Sequence, residues 1–237
     1  MSTEEVSIED NDPASEPRPA LLFDLEHVAI DGRQIAFDVV KTVFADRDVA
    51  VTPPLFVRYC LDAPVATYTE ALLRALDKPR LSAAKLAGEI AQGVRLTLSG
   101  GNIALRKGCA GLIDSAEQRG MAIGAISFLG ADLAEQVFKK AGFDAEKIVL
   151  HAIDEDAGRS LRSQAWAELA RKVGTPPGMC VALAADSATC RAALVSGVRC
   201  SAVPDAYSAY QDLGGVDYVF EEMSPDILDD LCALTRD

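Results

Sequence analysis

The chain alternates short apolar runs with stretches whose apolar residues recur three and four positions apart. The runs fall at residues 21–24, 122–128, 147–152, 180–184, 200–203 and 217–220. At that length, flanked by turn residues, they predict buried strands. Between them the period changes. Leu133, Val137, Phe138 and Ala141 share one helical face, and Trp166, Leu169, Ala170 and Val173 share another. Gly142, Gly174 and Gly197 stand where such helices would stop. Strand after helix after strand predicts an α/β fold, an open parallel sheet with helices on both faces in the Rossmann manner.

One stretch breaks the alternation. Residues 33–104 show only helical patterns, which predicts a helical domain inserted into an α/β core made of residues 20–32 and 105–237. "LSGGN", residues 98–102, reads as the loop that returns the chain to the core. It lacks the strand context and the lysine of a phosphate-binding loop.

Charge narrows the function. The 237 residues carry a formal net charge of −13. That disfavours sequence-independent binding to nucleic acid or to an anionic membrane. Part of the charge lies in residues 1–19, where six acids and three prolines predict a disordered tail. No run is long enough for a membrane span, and the start lacks a secretory pattern, so the expected location is cytoplasmic. The six cysteines form no CxxC pair and sit mostly in apolar runs, so free buried thiols are expected. His27 and His151 make no metal motif.

Candidate chemistry follows from where the runs end. In an open parallel sheet, ligands bind outside the carboxyl ends of the strands. The first run ends in Asp24, with Glu26 and His27 close behind. Ser127 ends the second, and Asp186 and Ser187 follow the fourth. The third leads through Asp154, Glu155 and Asp156, a solvated acidic loop, to Arg159. Two neighbouring carboxylates suit Mg²⁺ with substrate phosphate oxygens completing its shell. A carboxylate can also attack phosphorus. Trp166 reads as core.

Four fragments in order carry a resemblance: "LLFDLEHVAIDG", "MAIGAISFLGADLAEQVFKKAGF", the segment around "ALAADSATCRAALVSGVRCSAVP", and "GGVDYVFEEM". Together, from about residue 20 to about 234, they resemble the haloacid dehalogenase-like superfamily. Within it they look most like the β-phosphoglucomutase-like phosphatases and phosphomutases, which carry a helical cap where this chain has its insert. The resemblance implies an aspartyl-phosphate mechanism on a small phosphorylated metabolite. Asp24 would be the nucleophile, and Glu26 the acid–base residue. Ser127 would hold a phosphoryl oxygen. Mg²⁺ would sit on Asp24, the backbone carbonyl of Glu26, and Asp186. Arg58, Tyr59 and Arg95 would be candidates for substrate choice in the cap. A monomer or weak dimer is expected.

The sequence departs from that pattern at the chemistry. Glu26 stands for an aspartate, and one extra methylene displaces the carboxyl by roughly 1 Å, enough to cost about a hundredfold in rate. His27 stands for a glycine. The family's lysine falls on Ser160, leaving Arg159 to supply the cation, and a guanidinium is not equivalent to an ammonium. Ala185 stands where an acid often lies, which weakens a Mg²⁺ site. Two functions therefore stay open: a Mg²⁺-dependent phosphatase or phosphomutase, and a catalytically impaired homologue acting as a binding or regulatory protein.

Overall fold

Six parallel strands form one sheet in the order β3-β2-β1-β4-β5-β6. They are β1 (Ala20–Asp24), β2 (Ala122–Ser127), β3 (Ile148–Ala152), β4 (Cys180–Ala184), β5 (Arg199–Ala202) and β6 (Tyr218–Val219). The structure is a computed structural model. It describes residues 18–61, 63–153 and 159–235, with backbone alone for 159–161. Most of the expected acidic tail, and Asp154, Glu155 and Asp156, lie outside the described residues.

The sheet sits where the apolar runs predicted it. Every residue of β1, β2 and β4 is buried, because helices cover both faces. Strand side chains alternate between two apolar clusters. Leu21, Phe23, Ile123, Val181 and Leu183 pack with α5 (Cys109–Gln118), α6 (Ala131–Lys140) and α9 (Leu228–Leu234). Ala20, Leu22, Cys180 and Ala182 face the other way, against α7 (Arg159–Lys172) and α8 (Ser187–Val195). Trp166 on α7 is fully buried there. Gly124 permits the close approach of α7, since a Cβ on it would lie 2.8 Å from Leu169 Cδ1. All six cysteines are free, five of them buried. Burial pushes the Cys60, Cys109 and Cys180 thiols up to about 12, which keeps them protonated and unreactive.

Residues 32–100 hold four helices, α1 (Gly32–Ala45), α2 (Pro53–Cys60), α3 (Val65–Ala75) and α4 (Ala83–Gly100). Among the described residues of this segment there is no strand. Its apolar faces meet in a third cluster built on Phe37, Phe44, Phe56, Leu72, Leu86 and Ile90. Tyr207, from the loop after β5, packs into that cluster and donates to Gln34 Oε1 at 2.7 Å. The helix α4 runs through Gly100, so the first part of "LSGGN" is its last turn and the return loop begins at Gly101. The two passages between segment and core run side by side: Ile30 and Leu105 form an antiparallel bridge, and Arg106 N donates to Ala29 O at 2.8 Å.

Candidate active site

The order of the strands reverses at β1, which has β2 on one side and β4 on the other. Such a reversal opens a crevice at the carboxyl ends of the strands. Asp24 is the last residue of β1, Ser127 the last of β2, and Asp186 follows β4 by two residues as the N-cap of α8. All three are buried, as is Glu26.

Asp24 opens a wide π-helical turn, Leu25–Ala29, and caps it. Its Oδ1 accepts from the His27 backbone N–H at 3.0 Å, and its Oδ2 lies 3.0 Å from His27 Nδ1. The turn carries Glu26 back over β2. There the Ser127 hydroxyl donates to Glu26 Oε1, and the Phe128 N–H donates to Oε2 at 3.3 Å. The Glu26 carbonyl abuts the start of α1. A Cβ on Gly32 would lie 2.5 Å from that oxygen, so glycine is required there.

The two carboxyls of this turn are driven apart. Burial raises Asp24, but His27 and Arg33 outweigh it and hold the group below the ordinary carboxylate range. Burial pushes Glu26 well above its ordinary range, and the charge of Asp24 pushes it further. Asp24 therefore carries the charge and Glu26 keeps its proton longer.

A second cluster lies at the tip of β4. The Arg33 guanidinium, second residue of α1, forms an ion pair with Asp186 Oδ2 and another with Asp205 Oδ2 at 2.6 Å. The Arg33 side chain is 7% exposed. Asp186 Oδ1 accepts from the Thr189 N–H at 2.8 Å. Asp205 Oδ1 accepts from Tyr207 N at 2.8 Å and Ser208 N at 3.0 Å. Burial raises Asp205, and the adjacent Arg33 brings it below its ordinary range. Arg106 joins the loops at the two tips, donating to His27 O at 2.6 Å, Val203 O at 3.3 Å and Pro204 O at 3.2 Å.

No family model matches the sequence, and no curated protein matches it in sequence. Solved structures match it in fold. A haloacid dehalogenase family hydrolase from Deinococcus radiodurans, with bound phosphate and sodium, gives a TM-score of 0.74 at 16% identity, over 93% of this chain and 98% of its own. CbbY from Rhodobacter sphaeroides, in complex with phosphate, gives 0.70 at 21% identity, over 90% and 99%. A β-phosphoglucomutase from Clostridium difficile gives 0.63 at 14%, over 92% and 97%. The fold is that of the haloacid dehalogenase-like hydrolases.

In that fold the expected site residues have these places. Asp24 and Glu26 lie at the β1 tip, Asp24 in register with Ile126 on β2 and Glu26 accepting from Ser127. Asp24 and Asp186 are both within the electrostatic reach of Arg33. Arg159 begins α7, and its side chain and that of Ser160 are outside the described residues. Arg162 lies over the Phe128 ring, its Cζ 4.8 Å from the centroid. In the helical segment Arg58 and Arg95 are exposed and Tyr59 is half-buried. Three residues were not anticipated from sequence: Arg33, Asp205 and Arg106. Asp205 follows the 200–203 run and was visible as a strand-end acid. Nothing in the spacing of Arg33 or Arg106 marked them.

Mg²⁺ takes six oxygens in near-octahedral geometry, one or two of them from carboxylates and the rest from water or substrate. One Asp186 oxygen is taken by Arg33 and the other by Thr189 N–H. Both Asp24 side-chain oxygens face His27, both Glu26 carboxyl oxygens hold β2 donors, and the Glu26 carbonyl, the ligand the resemblance implies, abuts Gly32. Ligand atoms of Asp24, Glu26 and His27 lie within 4.8 Å of one another, but Asp186 is not in that group. An imidazole in place of an oxygen suits softer ions than Mg²⁺. As arranged, these residues do not fit Mg²⁺.

Proposed function

We propose that this chain is a catalytically impaired relative of the phosphatases whose fold it shares, and that it binds a small phosphorylated ligand without hydrolysing it. The observation that carries this is Glu26. Its carboxyl accepts from the Ser127 hydroxyl, the donor that the resemblance would assign to a phosphoryl oxygen, and from the Phe128 N–H. The acid–base residue and the phosphoryl donor thus occupy one another. The ligand class is taken from structures of similar fold: CbbY from Rhodobacter sphaeroides has been solved with xylulose-1,5-bisphosphate and with phosphate. In this reading residues 33–104 are a cap over a core of residues 20–32 and 105–237. The protein would be cytoplasmic, as a monomer or weak dimer.

A specific observation favours a second reading, a working phosphatase or phosphomutase. The Asp24 pKa is lowered while that of Glu26 is raised well above its ordinary range, the division of labour a nucleophile and a general acid need. Asp24 would attack phosphorus while the leaving oxygen takes the Glu26 proton. Water would then cleave the acyl phosphate, with Glu26 accepting the proton.

A phosphate-release screen over phosphorylated sugars and related monoesters separates the two. Wild type and Asp24→Asn are compared with Mg²⁺ and with EDTA, alongside ligand-induced thermal shifts. Thermal shifts with no Asp24-dependent release support binding. Turnover that Asp24→Asn abolishes establishes the enzyme.

A further inference from the structure

The disagreement with Mg²⁺ has a structural origin in one side chain. A buried carboxylate must be protonated, hydrogen-bonded or matched by a cation. At the β4 tip the cation is covalently attached. Arg33 reaches from the first turn of the helical segment into the crevice, pairs with Asp186 and Asp205, and lies close enough to Asp24 to lower its pKa. Both acceptors are oriented from behind. Thr189 N–H fixes Asp186, and the N–H groups of Tyr207 and Ser208 fix Asp205. The contact of Gly32 with the Glu26 carbonyl sets where α1 begins, and hence where Arg33 points. The planar fork of a guanidinium suits two carboxylates at once, which an ammonium would not.

We infer that Arg33 is a tethered cation standing in for a dissociable divalent ion between the β1 and β4 tips, so that the native site needs no metal. The inference goes beyond the functional reading above, because it concerns what balances the charge and not whether phosphate is released. Metal-independent turnover would overturn that reading and leave this one standing.

Removing Arg33 leaves Asp186 and Asp205 without the counter-charge they share, two carboxylates that can take a divalent ion with water completing its shell. The test uses the full chain as wild type, Arg33→Ala and Arg33→Met, the latter keeping bulk without charge. Mn²⁺ binding is followed by titration calorimetry and by the electron paramagnetic resonance of free ion. Thermal unfolding is run in EDTA and in Mn²⁺ or Mg²⁺. Wild type is expected to unfold at one temperature in all buffers. Each variant is expected to bind one Mn²⁺ tighter than wild type by on the order of a hundredfold, and to unfold at a higher temperature with metal than with EDTA. Asp186→Asn added to Arg33→Ala should abolish the gain. A variant unfolded in EDTA that folds on adding Mn²⁺ supports the inference. It is overturned if wild type binds Mn²⁺ as tightly as the variants. It is equally overturned if neither variant gains metal-dependent stability, whether folded in EDTA or not.

Discussion

The tip of β1 and the tip of β4 each bury carboxylates in one crevice, yet they balance the charge by different means. At β1 the balance is made with hydrogen bonds and a raised proton affinity: His27 serves Asp24, while Ser127 and Phe128 serve a Glu26 whose pKa burial pushes up. At β4 the balance is made with a permanent cation, Arg33, shared by Asp186 and Asp205. The first arrangement stays within the sheet core and its adjoining turn. The second joins the core to the helical segment and holds α1 over the crevice. A proton can leave as pH rises, whereas a guanidinium cannot be deprotonated in a protein. One tip therefore responds to pH and the other acts as a clamp.

The largest way to break the comparison is at the clamp. Arg33→Ala in EDTA should destabilise the fold by about 3–5 kcal/mol, because it strands buried charges. Urea unfolding measures this, and a loss below about 1 kcal/mol would mean that water already shields the pair. At the other tip Glu26→Ala removes the acceptor of two buried donors, each costing about 1–3 kcal/mol when unmet. The expected loss by the same assay is about 2–4 kcal/mol. An unchanged midpoint would show that the Ser127 and Phe128 contacts carry no stability.

The pH profile sharpens the contrast. Glu26 is raised in the folded state, so its favourable contribution is full below its ordinary value of 4.5 and is lost as pH climbs toward the folded value. As pH climbs above 4.5 toward the raised folded value, wild type should lose stability relative to Glu26→Gln, by up to about 1.4 kcal/mol per pH unit. Asp24 and Asp205 are lowered, so their contributions are full above 3.8 and disappear only as pH falls below it. Parallel profiles for wild type and Glu26→Gln would refute the assignment of the proton to Glu26. The smallest effect belongs to Thr189→Val, which deletes the 3.1 Å hydroxyl bond to Asp186 and spares the backbone one. A loss of about 0.5–1.5 kcal/mol is expected from thermal or urea melts. A larger loss would show that the hydroxyl, and not the N–H, orients Asp186 for Arg33.

Much of the fold was legible because burial imposes a period. Continuous apolar runs at 21–24, 122–128 and 180–184 became the three fully buried central strands. The weak 217–220 run shrank to the two residues of β6, an edge strand with exposed side chains that burial does not constrain. The glycines of "LSGGN" predict a loop, but Leu98 is buried and holds the last turn of α4 in place. Asp24, Glu26, Ser127 and Asp186 could be named in advance as strand-end polar residues. Their present partners could not be.

From sequence alone, the order of strands and helices along the chain, the run of helices between the first and second strands and the carboxylates at the strand ends were determined, since periodicity and burial act locally along the chain. The tertiary structure alone decided which charges meet. Arg33 lies 153 residues from Asp186 and 172 from Asp205. A contact across that separation depends on where α1 starts and on how the sheet orders its strands, and no local pattern encodes either.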